Sequence, residues 1–166
     1  MSYTHYWTFN KTKTKAADVE KAYQRAIRDI HKIVLFSKKN VVNLAGFTAH
    51  TKVGAYGGID FNGVKDDGHE NFYLREHFSQ GIGFHFCKTA RKQYDIVVTA
   101  ALIVLKHRLK GAVDVSSDGW SDDWEQGLEL AKLVLKLKTL KIPPSIAKPE
   151  RKCESCGNIV NLADYR

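Results

Sequence analysis

The chain has little cysteine, little proline and no long apolar run. Its 166 residues include three cysteines, of which Cys153 and Cys156 form one close pair. An odd count with one close pair is not typical of a disulfide framework. The longest apolar segment, residues 96–105, is interrupted only by Thr99, whereas a membrane-spanning helix needs about 20 residues. The first ten residues have no basic stretch followed by an apolar core, so we expect no secretory signal. These absences favour a cytoplasmic protein without a membrane partner.

All three prolines fall in one short segment near the end of the chain. Proline lacks a backbone donor and restricts the residue before it, so residues 142–149 are interpreted as a stiff linker. This linker divides the chain into an α+β domain, residues 1–141, and a tail, residues 150–166. Cys153 and Cys156 give the tail half of a zinc knuckle. A closed zinc site needs four ligands, so zinc would require ligands from another subunit. The alternative is a tail without metal, and no other cofactor is expected.

Charge of one sign is in excess. The chain has 26 Lys+Arg against 18 Asp+Glu, which gives +8 and a pI of about 9.4. Residues 1–40 alone contain nine basic and three acidic residues, so most of the excess belongs to one early element. A local excess is weak evidence for a nucleic-acid polymer as partner. A hydrophobic content of 43% excludes disorder of the whole chain.

Hydrophobic periodicity predicts the secondary structure. Alternating apolar and aromatic residues predict strands, and apolar residues three or four positions apart predict helices. The almost wholly apolar centre of the second helix predicts that it is buried on most sides, with Gly111 at its C-cap. The order of elements predicts an α+β fold with about three helices packed on a mainly antiparallel sheet. The predicted strands are residues 3–10, 41–50, 59–64, 70–74, 82–87 and 112–116, and the predicted helices are residues 15–37, 91–110 and 122–141.

A predicted hairpin gathers the first group of polar side chains. Asn62, Asp67, His69 and Glu70 lie around a turn of Lys, Asp and Gly residues. One interpretation is the rim of a ligand pocket, or a carboxylate–histidine acid/base pair. The other is a solvated turn whose Asp and Asn side chains satisfy backbone donors.

A second group lies at the predicted entrance of the apolar helix. Lys88, Thr89 and Arg91 stand where a helix N-terminus exposes unpaired N–H groups, which favours an anion. Arg91 is suited to a forked contact with a phosphate, and Lys88 to a point charge. The alternative is that Thr89 is an N-cap and the cations are solvated.

Two further groups lie on the first strand and after the last. In the first strand His5, Trp7 and Phe9 share one face, and Tyr6 shares the other with Thr8. Trp7 and Tyr6 are candidates for stacking on a base, although aromatic strand residues also form plain core. Asp118 follows the last predicted strand and either reaches a site at the sheet end or makes only a turn.

The polar groups lie within short motifs. These are His5-Tyr6-Trp7-Thr8-Phe9, Phe61-Asn62-Gly63-Val64, Asp67-Gly68-His69-Glu70, Phe72-Tyr73, Phe86-Cys87-Lys88-Thr89-Ala90-Arg91-Lys92, Tyr94-Asp95 and Ser117-Asp118-Gly119. In this combination the chain resembles a family of small proteins encoded by bacteriophages and prophages. The resemblance covers about residues 3–141 and implies that the groups meet at one site. Small phage-encoded proteins are often counter-defence factors, and one recurring class sequesters nucleotide second messengers of bacterial immune systems.

The first hypothesis is therefore a phage counter-defence protein that binds and sequesters a small nucleotide signal, of cyclic oligonucleotide or ADP-ribose type. Proteins of this kind commonly form homo-oligomers. Phosphates would contact Lys88 and Arg91, and a base would stack on Trp7, Phe72 or Tyr73. Sugar or base edges would contact Asn62, Asp67 and His69. The full set of expected ligand-binding residues is His5, Trp7, Asn62, Asp67, His69, Phe72, Tyr73, Lys88, Thr89, Arg91 and Asp118.

Two alternatives stay open. The first is a nucleotide phosphodiesterase or related hydrolase, with His69 or His5 as the acid/base and Asp67, Glu70 or Asp118 as the residue that orients it or as a metal ligand. The second is an inhibitor of a host defence system that binds protein or nucleic acid through the basic first helix. The plain interpretation of that helix is a solvated charged face.

Overall fold

The computed structural model describes residues 3–46 and 57–147 in full, and the backbone of residues 51–52, 55–56, 151–152 and 159–160. Its three α-helices are α1 (Ala16–Asn40), α2 (Asp95–Leu109) and α3 (Ser121–Leu135). The strands are β1 (Thr4–Phe9), β2 (Leu44–Ala45), β3 (Thr51–Lys52), β4 (Ala55–Tyr56), β5 (Ile59–Gly63), β6 (Phe72–Leu74), β7 (Gly83–Lys88), β8 (Val113–Ser117), β9 (Arg151–Lys152) and β10 (Ile159–Val160).

The strands form two small antiparallel sheets and two short pairs. The first sheet has the order β7-β1-β8, and the second has the order β2-β5-β6. The pairs are β3 with β4 and β9 with β10. The predicted α+β class and the hairpin of β5 and β6 are confirmed, but two separate sheets replace the one that was expected. Of predicted strand 41–50, β2 is the described part, and residues 47–50 lie outside the described residues.

Helix α2 is the centre of the core. Its residues are apolar on every side, and it packs against both α1 and α3. Helix α1 contributes one apolar stripe, which includes Ile27, Ile30 and Val34, and its opposite face is charged. The two helices are also joined by a forked contact in which the Arg108 guanidinium donates to one oxygen of Asp29, at 2.6 and 2.9 Å.

The helix ends differ from the predicted ones because non-glycine residues take positive φ angles. Ala90 and Arg91 have φ of 50° and 57°, so α2 cannot begin at Arg91 and begins at Asp95. Lys110, with φ of 50°, ends α2 in place of Gly111. Lys136 has a left-handed backbone conformation and ends α3. The helix therefore stops at Leu135, before the predicted end at position 141.

The packed body continues beyond Lys141, the predicted domain boundary. Ile146 is 1% exposed, and the Ser145 hydroxyl donates to the Val115 carbonyl at 2.5 Å. Residues 142–147 therefore lie along β8, although their prolines predicted a linker. Residues 148–149, which end the predicted linker, lie outside the described residues. Within the described residues, no helix has the length and apolar character needed to cross a membrane.

Candidate functional site

The outer side of the first sheet carries three aromatic rings. Phe84 and Phe86 are 63% and 55% exposed, and Tyr6 lies beside them on the central strand. The rings of Tyr6 and Phe84 stack at 6.0 Å, and those of Phe84 and Phe86 lie 6.2 Å apart. We call this surface of Tyr6, Phe84 and Phe86 the aromatic face.

Strand alternation explains why these rings point outward. On β1, His5, Trp7 and Phe9 are buried against the helices, as predicted, so Tyr6 points to the opposite side. On β7, Cys87 is buried and its neighbour Phe86 is exposed. Large apolar side chains gathered on an exposed surface are typical of interaction sites. The sequence predicted an extended segment here but did not identify Phe84 or Phe86 as site residues.

Polar groups border the aromatic face at one end. Lys88 follows Phe86 by two residues on β7 and pairs with Thr4 across the ladder. Asp118 accepts hydrogen bonds from the Thr4 N–H at 3.0 Å and from the Tyr6 hydroxyl at 3.2 Å. Two predicted site residues therefore lie at this end of the sheet: Asp118 contacts the Tyr6 hydroxyl, and Lys88 ends the strand that carries Phe86.

A buried polar chain lies on the other side of β1. His5 is fully buried, and its Nε2 lies 2.7 Å from Asp95 Oδ1. The Thr89 hydroxyl donates to the same oxygen at 2.5 Å. On the other ring nitrogen, Nδ1, His5 meets the Ser117 hydroxyl at 2.9 Å. In a neutral ring the carboxylate keeps the proton on Nε2, so Nδ1 accepts from Ser117.

Ser117, His5 and Asp95 are linked in the Ser–His–Asp order of serine hydrolases, but serine is on Nδ1 and the carboxylate on Nε2, the reverse of that triad. Two features favour a structural role. The Ser117 hydroxyl oxygen already accepts the Gly119 N–H at 2.9 Å, and the His5 ring is enclosed by Tyr3 and Trp124 at 5.0 and 5.2 Å. The chain therefore ties β1, β8 and the start of α2 together. The sequence predicted His5 as a site residue but did not identify Asp95 as its partner. A carboxylate at the first position of an apolar helix is a pattern that could have indicated it.

Arg91 is held within the protein. Its Nη1 donates to Asp123 Oδ1 at 2.8 Å, and its guanidinium lies 4.0 Å from the Tyr3 ring centroid. The hydrogen bond to Asp123 is the main reason that the pKa of Arg91 is raised. The predicted forked contact with a phosphate would have to replace this ion pair. Thr89 is likewise not an N-cap, because α2 begins six residues later and the Thr89 hydroxyl donates its hydrogen bond to the Asp95 carboxylate.

A cavity of about 570 Å³ opens beside Arg91 between the starts of α2 and α3. Its charged lining has more carboxylates than cations, so it is a poor site for an isolated anion. The charged residues that line it are Arg91, Lys92, Asp95, Asp122, Asp123 and Glu125.

The hairpin group is mainly structural. Asn62 Oδ1 accepts the N–H groups of Gly63 and His69 at 2.8 and 2.9 Å, and Asn62 Nδ2 donates to the His69 carbonyl and to Asn71 Oδ1. These four bonds use the whole amide, as the solvated-turn interpretation required. Asp67 and the His69 side chain are exposed at the turn, and within the described residues no carboxylate contacts the His69 ring.

Glu70 joins the hairpin to the end of β7. Its carboxylate accepts the Lys88 N–H at 2.7 Å, and its carbonyl accepts the Tyr94 hydroxyl at 2.8 Å. The Cys87 thiol lies 3.5 Å from the same carbonyl, and burial raises the pKa of Cys87 to about 12. Glu70 therefore positions the strand end that carries Lys88, and it is not available as the partner of a catalytic histidine.

Two residues that were predicted to stack on a base lie in the core. Trp7 is 2% exposed and Phe72 is fully buried, and their rings contact each other in the core at 5.0 Å. Both faces of β1 are aromatic, so alternation alone did not show which face meets the helices. Tyr73 is 45% exposed, but it lies on the second sheet beneath the Arg75 guanidinium.

The zinc prediction is not tested by the fold. Cys153 and Cys156 lie outside the described residues. Among the described residues, no group of three or more His, Cys, Asp or Glu side chains is arranged to hold a metal ion.

Comparisons with protein-family models, with curated proteins and with solved structures found no match to this chain. Its function is therefore inferred from its own residues.

Proposed function

We propose that the protein binds a small phosphorylated nucleotide on the aromatic face and sequesters it. The observation that carries the proposal is the exposure of Phe84 and Phe86 in ring contact with Tyr6. A base presents a flat π-face of similar size, and stacking on an aromatic side chain contributes about 1–3 kcal/mol per base. Three adjoining rings offer room for more than one base, which supports a cyclic oligonucleotide or an ADP-ribose type of ligand.

The groups beside Tyr6 supply the polar contacts. Lys88 is a point charge for a phosphate, two residues from the Phe86 ring on the same strand face. Asp118 accepts hydrogen bonds and would receive a ribose hydroxyl or a base amino group. This assignment keeps Lys88 and Asp118 from the predicted set and replaces Trp7 and Phe72 with Tyr6, Phe84 and Phe86.

Sequestration of an immune signal is the biological part of the proposal. It is supported by the resemblance of the motifs to small phage-encoded proteins, and it implies action in the cytoplasm of a bacterial host. The aromatic face is open and would cover only one side of a base. We therefore propose a homo-oligomer in which a neighbouring copy covers the other side.

Calorimetry with a panel of cyclic dinucleotides, cyclic trinucleotides and ADP-ribose isomers tests the proposal. We expect micromolar or tighter binding of at least one ligand. The double variant Phe84→Ala/Phe86→Ala should weaken it at least tenfold. Tyr73→Ala is the matched control, because it removes an exposed ring from the second sheet, and its affinity should stay within twofold. Absence of binding across the panel, or equal losses in both variants, would contradict the proposal.

Cleavage of the nucleotide is the second candidate, and the Ser117–His5–Asp95 chain is the observation in its favour. It requires Ser117 to react as a nucleophile. A fluorophosphonate probe and mass spectrometry of the ligand after incubation distinguish the two. Sequestration predicts an unlabelled protein and an intact ligand, whereas labelling of Ser117 with release of a cleaved product supports the hydrolase.

A further inference from the structure

A basic cleft lies far along α2 from the cavity beside Arg91. It has a volume of about 700 Å³, and its walls come from α1, from the end of α2 and from residues 139–144. This volume is in the range of small-molecule sites. Its lining includes five Lys or Arg side chains and one histidine, and no carboxylate belongs to the described lining. These residues are Arg25, Lys106, His107, Arg108, Lys110 and Lys141.

Two of the cations are fixed by the protein itself. Lys106 Nζ donates to the carbonyls of Lys110 and Val113 at 3.0 and 2.7 Å, and Arg108 is held by Asp29. Lys106 also lies 3.6 Å from the exposed carboxylate of Asp114. These contacts hold the Lys106 ammonium and the Arg108 guanidinium at fixed positions in the wall of the cleft.

The other three cations are exposed and have no ion pair within the described residues: Arg25, Lys110 and Lys141. Cations at the end of a helix are ordinarily explained by the helix dipole, and that explanation covers Lys110. It does not cover Arg25, which lies in the third turn of α1, or Lys141, which follows α3. Three separate elements thus direct positive charge into one cavity.

The backbone at Lys110 has a conformation that is uncommon for a residue with a side chain. Lys110 has φ of 50° and ψ of −114°, a conformation that glycine ordinarily occupies, and glycine is the next residue along the chain. Burial together with the charges of Arg108 and Lys110 lowers the pKa of His107, and the nearby Asp29 only partly opposes this. The positive charges of Arg108 and Lys110 therefore act on the lining of the cleft at His107.

We propose that this cleft binds a polyphosphate group, either inorganic or the polyphosphate of a nucleotide. Several negative charges within one small ligand match the three cations that have no ion pair within the described residues, and the planar guanidinium of Arg25 can contact two phosphate oxygens at once. Pro143 and Pro144 gain a role, because they form part of the wall of the cleft. The cleft shares no residue with the aromatic face, so this proposal does not depend on the proposed function.

The test uses sodium tripolyphosphate, which has no base to stack. We expect the full-length protein to bind it with micromolar affinity in calorimetry, with resonances of His107 shifted on binding. The double variant Arg25→Gln/Lys141→Gln should bind at least tenfold more weakly. The control Lys21→Gln/Lys138→Gln removes the same charge from α1 and from the segment after α3, outside the cleft, and should change the affinity less than twofold.

The outcomes separate the sources of the ligand. A nucleoside triphosphate that competes with tripolyphosphate extends the site to nucleotides, and one that does not compete restricts it to inorganic polyphosphate, both in agreement with the proposal. Equal losses in the two double variants, or no binding at millimolar tripolyphosphate, would overturn it. Tighter binding of a 20-nucleotide single strand with the same dependence on Arg25 and Lys141 would also overturn it, in favour of a nucleic-acid groove.

Discussion

At the scale of single residues, three polar side chains hold neighbouring elements of the fold together. Asn62, Glu70 and His5 were all singled out, and each makes specific contacts. The partners of His5 and Glu70 come from other parts of the chain: Asp95 is 90 residues from His5, and Lys88 is 18 residues from Glu70. No local pattern reports such a contact. The functional interpretation of Asn62 and Glu70 therefore gives way to a structural one.

The hairpin amide provides a test at this scale. Asn62→Ala removes four hydrogen bonds that hold the turn, and we expect a loss of about 2 kcal/mol in the free energy of unfolding. Asp67→Ala, at an exposed position of the same turn, should change it by less than about 0.5 kcal/mol. Urea unfolding followed by circular dichroism measures both. Equal effects would show that the Asn62 contacts do not stabilise the hairpin.

At the scale of elements, the centres of helices and strands were predictable and their ends were not. The apolar run of α2 and the stripe of α1 follow directly from periodicity. The ends depend on Ala90, Arg91 and Lys110, whose positive φ angles have no signature in their residue types. For the same reason, the predicted anion site at the start of α2 is displaced: its cations precede the helix in a turn.

The contact of α2 with α3 gives a prediction for the elements. A methyl group at Gly127 would collide with the Thr99 hydroxyl and come within 2.9 Å of the Ala100 nitrogen. Alanine favours a helix by about 1 kcal/mol over glycine, but overpacking costs about 1–3 kcal/mol. We therefore expect Gly127→Ala to lower the melting temperature.

Gly111→Ala is the matched control, because a methyl group there has no atom within 4 Å. Its melting temperature should equal that of the unmodified protein or exceed it slightly. A stabilised Gly127→Ala variant would mean that α2 and α3 are further apart than described.

At the scale of the whole molecule, the order of predicted elements indicated the α+β class, but not how the sheets and the segment after α3 pack together. Two small sheets, instead of one, leave the outer side of β7-β1-β8 uncovered by any described element. Residues 142–147 cover β8 through Ser145 and Ile146, which the proline content did not predict. The five Lys and Arg side chains of the basic cleft are spread between positions 25 and 141, and only the folded arrangement brings them together.

Buried tyrosine hydroxyls and a buried thiol predict that the protein loses stability at alkaline pH. Burial raises the pKa values of Tyr3, Tyr23 and Tyr94, and raises the pKa of Cys87 to about 12. Unfolded phenols titrate near about 10 and thiols near about 8.5. Above these values the unfolded chain has lost protons that the folded protein keeps, so stability falls as the pH rises.

We expect the urea midpoint to fall between pH 8 and about 11, with a shallower fall in Tyr23→Phe. That variant loses the hydrogen bond to the Arg75 carbonyl and so starts from a lower midpoint. A midpoint independent of pH across this interval would show that these groups ionise freely in the folded protein.

The central claim is that bases stack on the aromatic face, and the shape of the side chain at Phe86 tests it most directly. The measurement is the dissociation constant of the tightest ligand of the nucleotide panel for three proteins: unmodified, Phe86→Leu and Phe86→Trp. Leucine keeps apolar area but removes the ring, so stacking predicts weakening of at least fivefold, within the range of about 1–3 kcal/mol per base. Tryptophan keeps a ring, so its affinity should equal or exceed that of the unmodified protein. Equal constants for leucine and tryptophan would contradict the account.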